Sequence, residues 1–300
     1  MKVGIIGAGS IGLLFAAYIS RVFEVALYTR TQEQAAEINK NGILLRKGTE
    51  ENISLVKALP ISEWQGTEEL TIIAVKQYQL PTIIQKLNHL SAIPESLLFL
   101  QNGMGHLKLL KGIRAYNLYV GSVEHGALKE NSFTVSHNGN GATNVAVFQG
   151  ETTSLKQLSA AFVLDFPIVV QEDYYDMLLK KLIVNAIINP LTAVLRVNNG
   201  GLLENQFYFL VVKNLFTEIS FILNLKHPVD YLQQVIDICK KTANNRSSML
   251  KDIEAKRLTE VDAILGFLLK EAKKQDKKAP QIENLYYLIK GKEIKQEEDL

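Results

Sequence analysis

Apolar and polar positions in the first half of the chain fall into short runs that switch between two periods. Val3–Ile6, Glu24–Tyr28, Leu70–Val75 and Leu97–Leu100 are compact apolar runs, and Leu70–Val75 (LTIIAV) has no polar alternate face at all. Such runs, rich in β-branched side chains, predict strands, with Leu70–Val75 buried on both faces as in a parallel sheet. Between them Ile11–Arg21, Thr31–Asn41 and Gln79–Leu90 read as helices; Gly42 is placed to close the second, and Pro81 sits near the first turn of the third. Repeated strand–helix units predict a mainly parallel sheet with helices on its faces.

The pattern changes between Tyr119 and Gly150. Phe133–His137 and Asn144–Phe148 flank the Gly/Asn-rich stretch Asn138–Gly141 and predict an antiparallel hairpin. Beyond Asp165 strand signals nearly vanish, and Tyr174 to Ile289 follows helical spacing, broken at Asn198–Gly201, at Lys226–Pro228 and around Thr259. An α/β domain followed by an all-helical one is expected, residues 1–167 and 168–300, with the border near Phe166–Pro167. Lys290 to Leu300 mixes both charge signs and reads as a frayed, solvated tail.

Composition narrows the function classes. With 33 basic and 31 acidic side chains the net charge is +2, which gives no reason to expect nucleic acid or a membrane surface as partner. No run of 18 uninterrupted apolar residues suggests a membrane span. Glycines interrupt the apolar N-terminus, so no secretory leader is expected. The single cysteine, Cys239, lies among Val235, Ile236 and Ile238 and reads as a core filler, which suits a reducing, cytoplasmic setting. His89, His106, His125, His137 and His227 show no zinc-type spacing with a carboxylate, so no metal is expected.

Gly7-Ala8-Gly9-Ser10-Ile11-Gly12 follows the first strand and opens the first helix. In that context G-x-G-x-x-G is a dinucleotide fingerprint. The first glycine permits the turn, the second admits a pyrophosphate, the third lets helix and strand pack, and the helix N-terminus faces the phosphates. The second strand ends Leu27-Tyr28-Thr29-Arg30, with a guanidinium where an NAD enzyme usually has a carboxylate. Arg30 could bind a 2′-phosphate in bidentate fashion, favouring NADP, although Glu33 could still mimic the NAD arrangement. Lys76 and Asn102 follow the third and fourth strands, on the edge where ligands bind in open α/β sheets, and each could equally be an ordinary loop residue.

In the helical half, Lys181, Asn185 and Asn189 recur every fourth residue and share one stripe of an otherwise apolar helix, with Pro190 directly after. Polar side chains in such a place need partners, because burying them unpaired is costly. A plain helix–helix contact remains an alternative. Ser247 or Ser248 could cap one later helix and Thr259 another, a structural account that also covers Glu260.

Taken together, Gly7/Gly9/Gly12, Val75-Lys76, Gln101-Asn102-Gly103, Lys181-x3-Asn185-x3-Asn189-Pro190 and Ser247-Ser248-Met249…Asp252…Thr259-Glu260 resemble the ketopantoate reductase family from Met1 to about Lys290. The resemblance implies a Rossmann-type NADP-binding domain, a helical domain, and a small 2-oxo acid held in the cleft between them. It implies that NADPH reduces 2-dehydropantoate to pantoate, with Lys181 as the general acid and Glu260 beside it. Asn185, Asn189, Ser248 and Asn102 would grip the substrate; Gly7, Ala8, Gly9, Ser10, Ile11, Gly12, Arg30, Lys76 and Asn102 would serve the cofactor. The family commonly has an aromatic residue two positions before the lysine, where this chain has Leu179, which bears on the shape of the substrate pocket. Alternatives are an NADP enzyme for another 2-oxo acid or an opine-type substrate, and a non-catalytic NADP sensor. The apolar helical half could supply a homodimer surface.

Overall fold

The structure is a computed structural model that describes residues 1–297. Its strands are β1 (Lys2–Ile6), β2 (Glu24–Thr29), β3 (Ile43–Lys47), β4 (Glu50–Ser54), β5 (Lys57–Pro60), β6 (Leu70–Ile73), β7 (Ser96–Phe99), β8 (Asn117–Val123), β9 (Gly126–Lys129), β10 (Thr134–Gly139), β11 (Thr143–Gln149) and β12 (Ile168–Val170). The helices are α1 (Ser10–Ile19), α2 (Gln32–Asn41), α3 (Leu80–Asn88), α4 (Leu107–Leu110), α5 (Thr153–Ala161), α6 (Tyr174–Leu195), α7 (Gly201–Glu204), α8 (Gln206–Leu223), α9 (Pro228–Lys241), α10 (Ser248–Glu254), α11 (Val261–Lys274) and α12 (Pro280–Glu297). Two compact units result, one from residues 1–101 and 106–177, the other from residues 102–105 and the chain from Leu178 on.

The first unit is built on an eight-stranded sheet ordered β12-β11-β8-β7-β6-β1-β2-β5. Pairing is parallel except between β8 and β11. The apolar runs of β1, β6 and β7 lie in its centre, buried on both faces as their lack of alternation requires. From β1 the chain moves out to β2 on one side and later returns to β6 on the other. The order therefore reverses between β1 and β6, where open α/β sheets bind ligands. A second sheet, β4-β3-β10-β9, lies against α1. Contact with both sheets explains why Gly12 through Ile19 are buried on every side of that helix.

The hairpin expected around Asn138–Gly141 does not form. Strand β10 pairs with β9 and β3 in the small sheet, whereas β11 pairs with β8 and β12 in the large one. The glycines serve close backbone passage: a Cβ at Gly141 would lie 2.5 Å from the Glu124 carbonyl. Local turn chemistry favours a tight reversal here, but strand partners are chosen by tertiary burial.

The first unit also buries titratable groups. Tyr18 Oη and His137 Nδ1 are 2.8 Å apart, and His137 Nε2 lies 3.2 Å from His125 Nδ1. Tyr18 and His125 each stack on Phe166. Burial pushes His125 down to about 4, helped by the charges of His137 and Lys47, and burial with Lys47 lowers His137. His106 is fully buried, its ring nitrogens without partners among the described residues, and burial pushes it to about 4.

In the helical unit the expected breaks are real. Arg196, at φ 55°, follows the end of α6, Asn224 caps α8 in the left-handed region, and Pro228 starts α9. Cys239 is buried beside Val235, and burial pushes its thiol up to about 11. By length and composition α6 and α8 could each cross a membrane, yet α6 is mostly buried inside the protein. The expected frayed tail is instead helical through Glu297, while residues 298–300 lie outside the described ones. Ile289 and Glu293 are buried. Glu293 Oε1 accepts from the Thr259 amide (2.9 Å) and hydroxyl (2.6 Å), and its other oxygen pairs with Lys290 at 2.7 Å. One buried face, invisible in the charge count, keeps this segment ordered.

The folded values of the histidines lie below their ordinary 6.5, so their stabilising effect is whole above pH 6.5 and lost as pH falls toward 4. Urea unfolding should therefore show stability dropping across that window, by on the order of 3 kcal/mol for a fully buried histidine. His106→Leu should flatten the profile, and an unchanged slope would contradict this. Glu293→Ala strips two buried donors of their acceptor and should cost roughly 2–3 kcal/mol in the same assay; a loss below about 0.5 kcal/mol would show that solvent replaces the carboxylate.

Candidate active site

The glycine turn is set by contacts that no side chain could replace. Gly7 adopts φ 105°, and its amide donates to the Tyr28 carbonyl at 2.9 Å, joining the ends of β1 and β2. A Cβ on Gly12 would fall 1.7 Å from the Gly7 carbonyl, so only glycine lets α1 start this close to the strand. Gly9 differs: a Cβ there would meet nothing within 4 Å, so its face of the loop is open. The N-terminus of α1, which begins at Ser10 and Ile11, has neither a side-chain cap nor an acidic residue in its first turn. Its amides and partial positive charge point into that open space, the arrangement an anion needs.

Arg30 emerges exposed from the end of β2, two residues past Tyr28. The Tyr28 hydroxyl donates to buried Glu68, which also accepts from Trp64 Nε1 at 3.1 Å and so fixes that strand end. Glu33 is bonded within its own turn, to its backbone amide and the Thr31 hydroxyl, and these bonds lower its pKa. The Ala8 carbonyl accepts from Gln34 Nε2 and from Lys129 Nζ, each at 3.0 Å. Neither contact was read from the sequence: Lys129 lies in no motif, and only the packing of β9 against α1 brings it there.

Lys76 sits just past β6, next to β1 in the sheet, with its amide bonded to Gln79 Oε1 at 3.1 Å. Buried Gln101 donates to the carbonyls of Ile73 and Val75, both at 2.9 Å, and so latches the segment that carries Lys76. The glycine turn, Arg30 and Lys76 thus come from the adjacent ends of β1, β2 and β6.

In the helical unit, Lys181, Asn185 and Asn189 occupy successive turns of α6, the first two half-buried and the third buried. Asn189 Nδ2 donates to Ser248 Oγ at 3.3 Å, and Thr192 Oγ1 donates to Ser247 Oγ at 2.7 Å. Ser247, not Ser248, caps α10 by accepting from the Leu250 amide at 3.1 Å, which leaves Ser248 exposed beside Asn189. Asn102 Nδ2 donates to Glu260 Oε2 at 2.7 Å. The backbone beside Asn102 is pressed onto α11: Gly103 has φ 77°, and a Cβ there would lie 2.1 Å from the Ala263 carbonyl. Thr259 accepts from the Val261 amide at 3.1 Å and is itself held by Glu293, so the turn bearing Glu260 is anchored from α12. Glu293 went unnoticed in the sequence because it sits among exposed charges.

Two family models match the chain, ketopantoate reductase PanE/ApbA over residues 3–150 and its C-terminal counterpart over residues 173–293. The 2-dehydropantoate 2-reductase of Bacillus subtilis is 43% identical over 295 residues, covering 98% of each chain, and that of Listeria monocytogenes is 39% identical over 298 residues, covering 98% of this chain and 97% of its own. The crystal structure of the probable Bacillus subtilis enzyme superposes with a TM-score of 0.90 over 97% of this chain and 100% of its own. D-Mandelate dehydrogenase, solved with NADH and anilino(oxo)acetate, is 24% identical and shares the fold at a TM-score of 0.87, over 99% of each chain. The chain belongs to the ketopantoate reductase PanE/ApbA family of oxidoreductases.

Proposed function

We propose that this protein reduces 2-dehydropantoate to (R)-pantoate with NADPH, as the names of its relatives suggest, and so serves pantothenate biosynthesis in the cytoplasm. Residues 1–167, with β12 and the segment up to residue 177 added to their unit, would form the NADP-binding domain, and the helical remainder of 168–300 the substrate and catalytic domain. The observation that carries this reading is the polar file on α6. Lys181, Asn185 and Asn189 stand on a helix whose other side chains are largely buried and apolar, and such groups are retained there at a cost.

Gly7, Ala8, Gly9, Ser10, Ile11 and Gly12 would hold the pyrophosphate, with Arg30 on the 2′-phosphate and Lys76 and Asn102 toward the nicotinamide. The open face at Gly9 and the uncapped start of α1 suit the pyrophosphate, while exposed Arg30 and a Glu33 bonded within its own turn suit a phosphorylated ribose better than a bare one. Bound there, the cofactor would supply a hydride from C4 of its nicotinamide to C2 of the ketone. The Lys181 ammonium donates a hydrogen bond to the C2 oxygen and then its proton, so that carbon gains the hydride and oxygen the proton. That ammonium stabilises charge which develops only in the transition state. Glu260, oriented by Asn102, would hold the ammonium, and Asn185, Asn189 and Ser248 would grip the substrate hydroxyl and carboxylate.

A second reading, reduction of another 2-oxo acid on the same fold, is favoured by buried Leu179, which stands where the family commonly has an aromatic ring. A homodimer would use the apolar face that α8 exposes at Phe207, Leu210, Val211 and Phe221; a dimeric ketopantoate reductase of Staphylococcus aureus shares the fold.

Measuring NADPH oxidation with 2-dehydropantoate beside a panel of 2-oxo acids decides between the two substrates; preference for another acid would displace the first. Lys181→Ala should lower kcat by about 10³-fold or more while leaving NADPH affinity intact, and near-normal turnover would defeat its role as acid. Arg30→Asp should move the kcat/KM preference toward NADH, and an unchanged ratio would mean that other groups read the 2′-phosphate.

A further inference from the structure

We propose that Lys129 is a second cation for the 2′-phosphate of the dinucleotide, sharing it with Arg30. This rests on the NADP reading above and extends it to a residue outside the glycine fingerprint and the second strand.

The Lys129 ammonium is fixed by backbone, not by a carboxylate. Lys129 lies at the end of β9, its amide donating to Ser10 Oγ and its Nζ to the Ala8 carbonyl, both at 3.0 Å. Strand β9 is thereby stitched to the glycine turn at two points. A carbonyl orients an ammonium without neutralising it, and Nζ has three donors, so two remain for another acceptor. No carboxylate pairs with Lys129 or with Arg30 among the described residues. The side chain is half-buried, and burial together with the nearby Arg30 charge lowers its pKa. Two like charges brought together without a counter-ion raise the energy of the empty site and are relieved by a bound anion.

The position selects which anion. The pyrophosphate belongs at the α1 N-terminus, over Gly9. Lys129 is instead held at Ala8, whose carbonyl is shared with Gln34 in the first turn of α2, on the side from which Arg30 emerges. That is the ribose end, where the presence or absence of a 2′-phosphate distinguishes the two cofactors. Arg30 supplies a planar fork and Lys129 a compact charge, so together they could meet all three terminal oxygens of a phosphate.

The test is direct binding of NADPH and NADH to the full chain, by titration calorimetry, for wild type, Lys129→Gln, Lys129→Arg and Arg30→Gln. Glutamine keeps a donor for the Ala8 carbonyl but removes the charge. The proposal expects Lys129→Gln to weaken NADPH by about 10-fold or more, to leave NADH within about twofold, and Lys129→Arg to recover most of the loss. Equal weakening of both cofactors in either variant would make the lysine a strut of the loop or a pyrophosphate ligand, and would overturn the proposal. Unchanged NADPH affinity in Lys129→Gln would overturn it too. Wild type that binds the two cofactors alike would sink the NADP reading itself, and this inference with it, an outcome visible before any variant is made.

Discussion

The contact on which the nucleotide-binding half depends is the meeting of two backbones, where the α-carbon of Gly12 rests against the carbonyl of Gly7. A methyl group would stand 1.7 Å from that oxygen, so α1 can begin this close to the end of β1 only with hydrogen at that position. The consequences spread outward. Helix α1 is drawn between the large and small sheets, where nearly every residue must be apolar, and its uncapped start is aimed over the open face of Gly9. The same closeness brings β9 of the small sheet within reach of the turn, so Lys129 can grip Ala8. Fold and proposed anion site are one packing solution here.

The helical unit follows a different logic. Its core is ordinary, but α6 carries a file of polar groups that propensity and burial would both disfavour. At its buried end a specific partner offsets that cost, Ser248 for Asn189, and one turn on Thr192 is met by Ser247. Glu260 is treated in the same way: Asn102 bonds its carboxylate, while Thr259 beside it is fixed by a buried carboxylate from α12. In the proposed reaction these groups would meet a charged, changing substrate, and being held by neighbours that do not themselves react would favour that.

Much of this was legible in the chain. Buried parallel strands announce themselves as runs without alternation, as in LTIIAV, and the glycine spacing after β1 carries its own geometric reason. The four-residue recurrence of Lys181, Asn185 and Asn189 needed only the helix period, and the family resemblance joined the separate motifs. What escaped was everything decided by partners far along the chain. The hairpin failed because β10 and β11 have local turn chemistry between them but burial partners in different sheets. Strands β3, β4 and β9 are short and partly polar and become strands only as a sheet against α1. Glu293 and Lys129 each look like solvated charges until the fold places a buried threonine beside one and a backbone carbonyl beside the other. Charge counts describe a surface; they do not say which charges have been taken out of it.

The central claim is that a hydride passes from the cofactor directly to the ketone carbon. Incubating wild type with 2-dehydropantoate and NADPH deuterated at both C4 positions, then weighing the product by mass spectrometry, tests it most directly. The account predicts pantoate one mass unit heavier, with the label on C2 and none lost to water. Pantoate formed without deuterium, or no pantoate at all from fully folded protein, would contradict it.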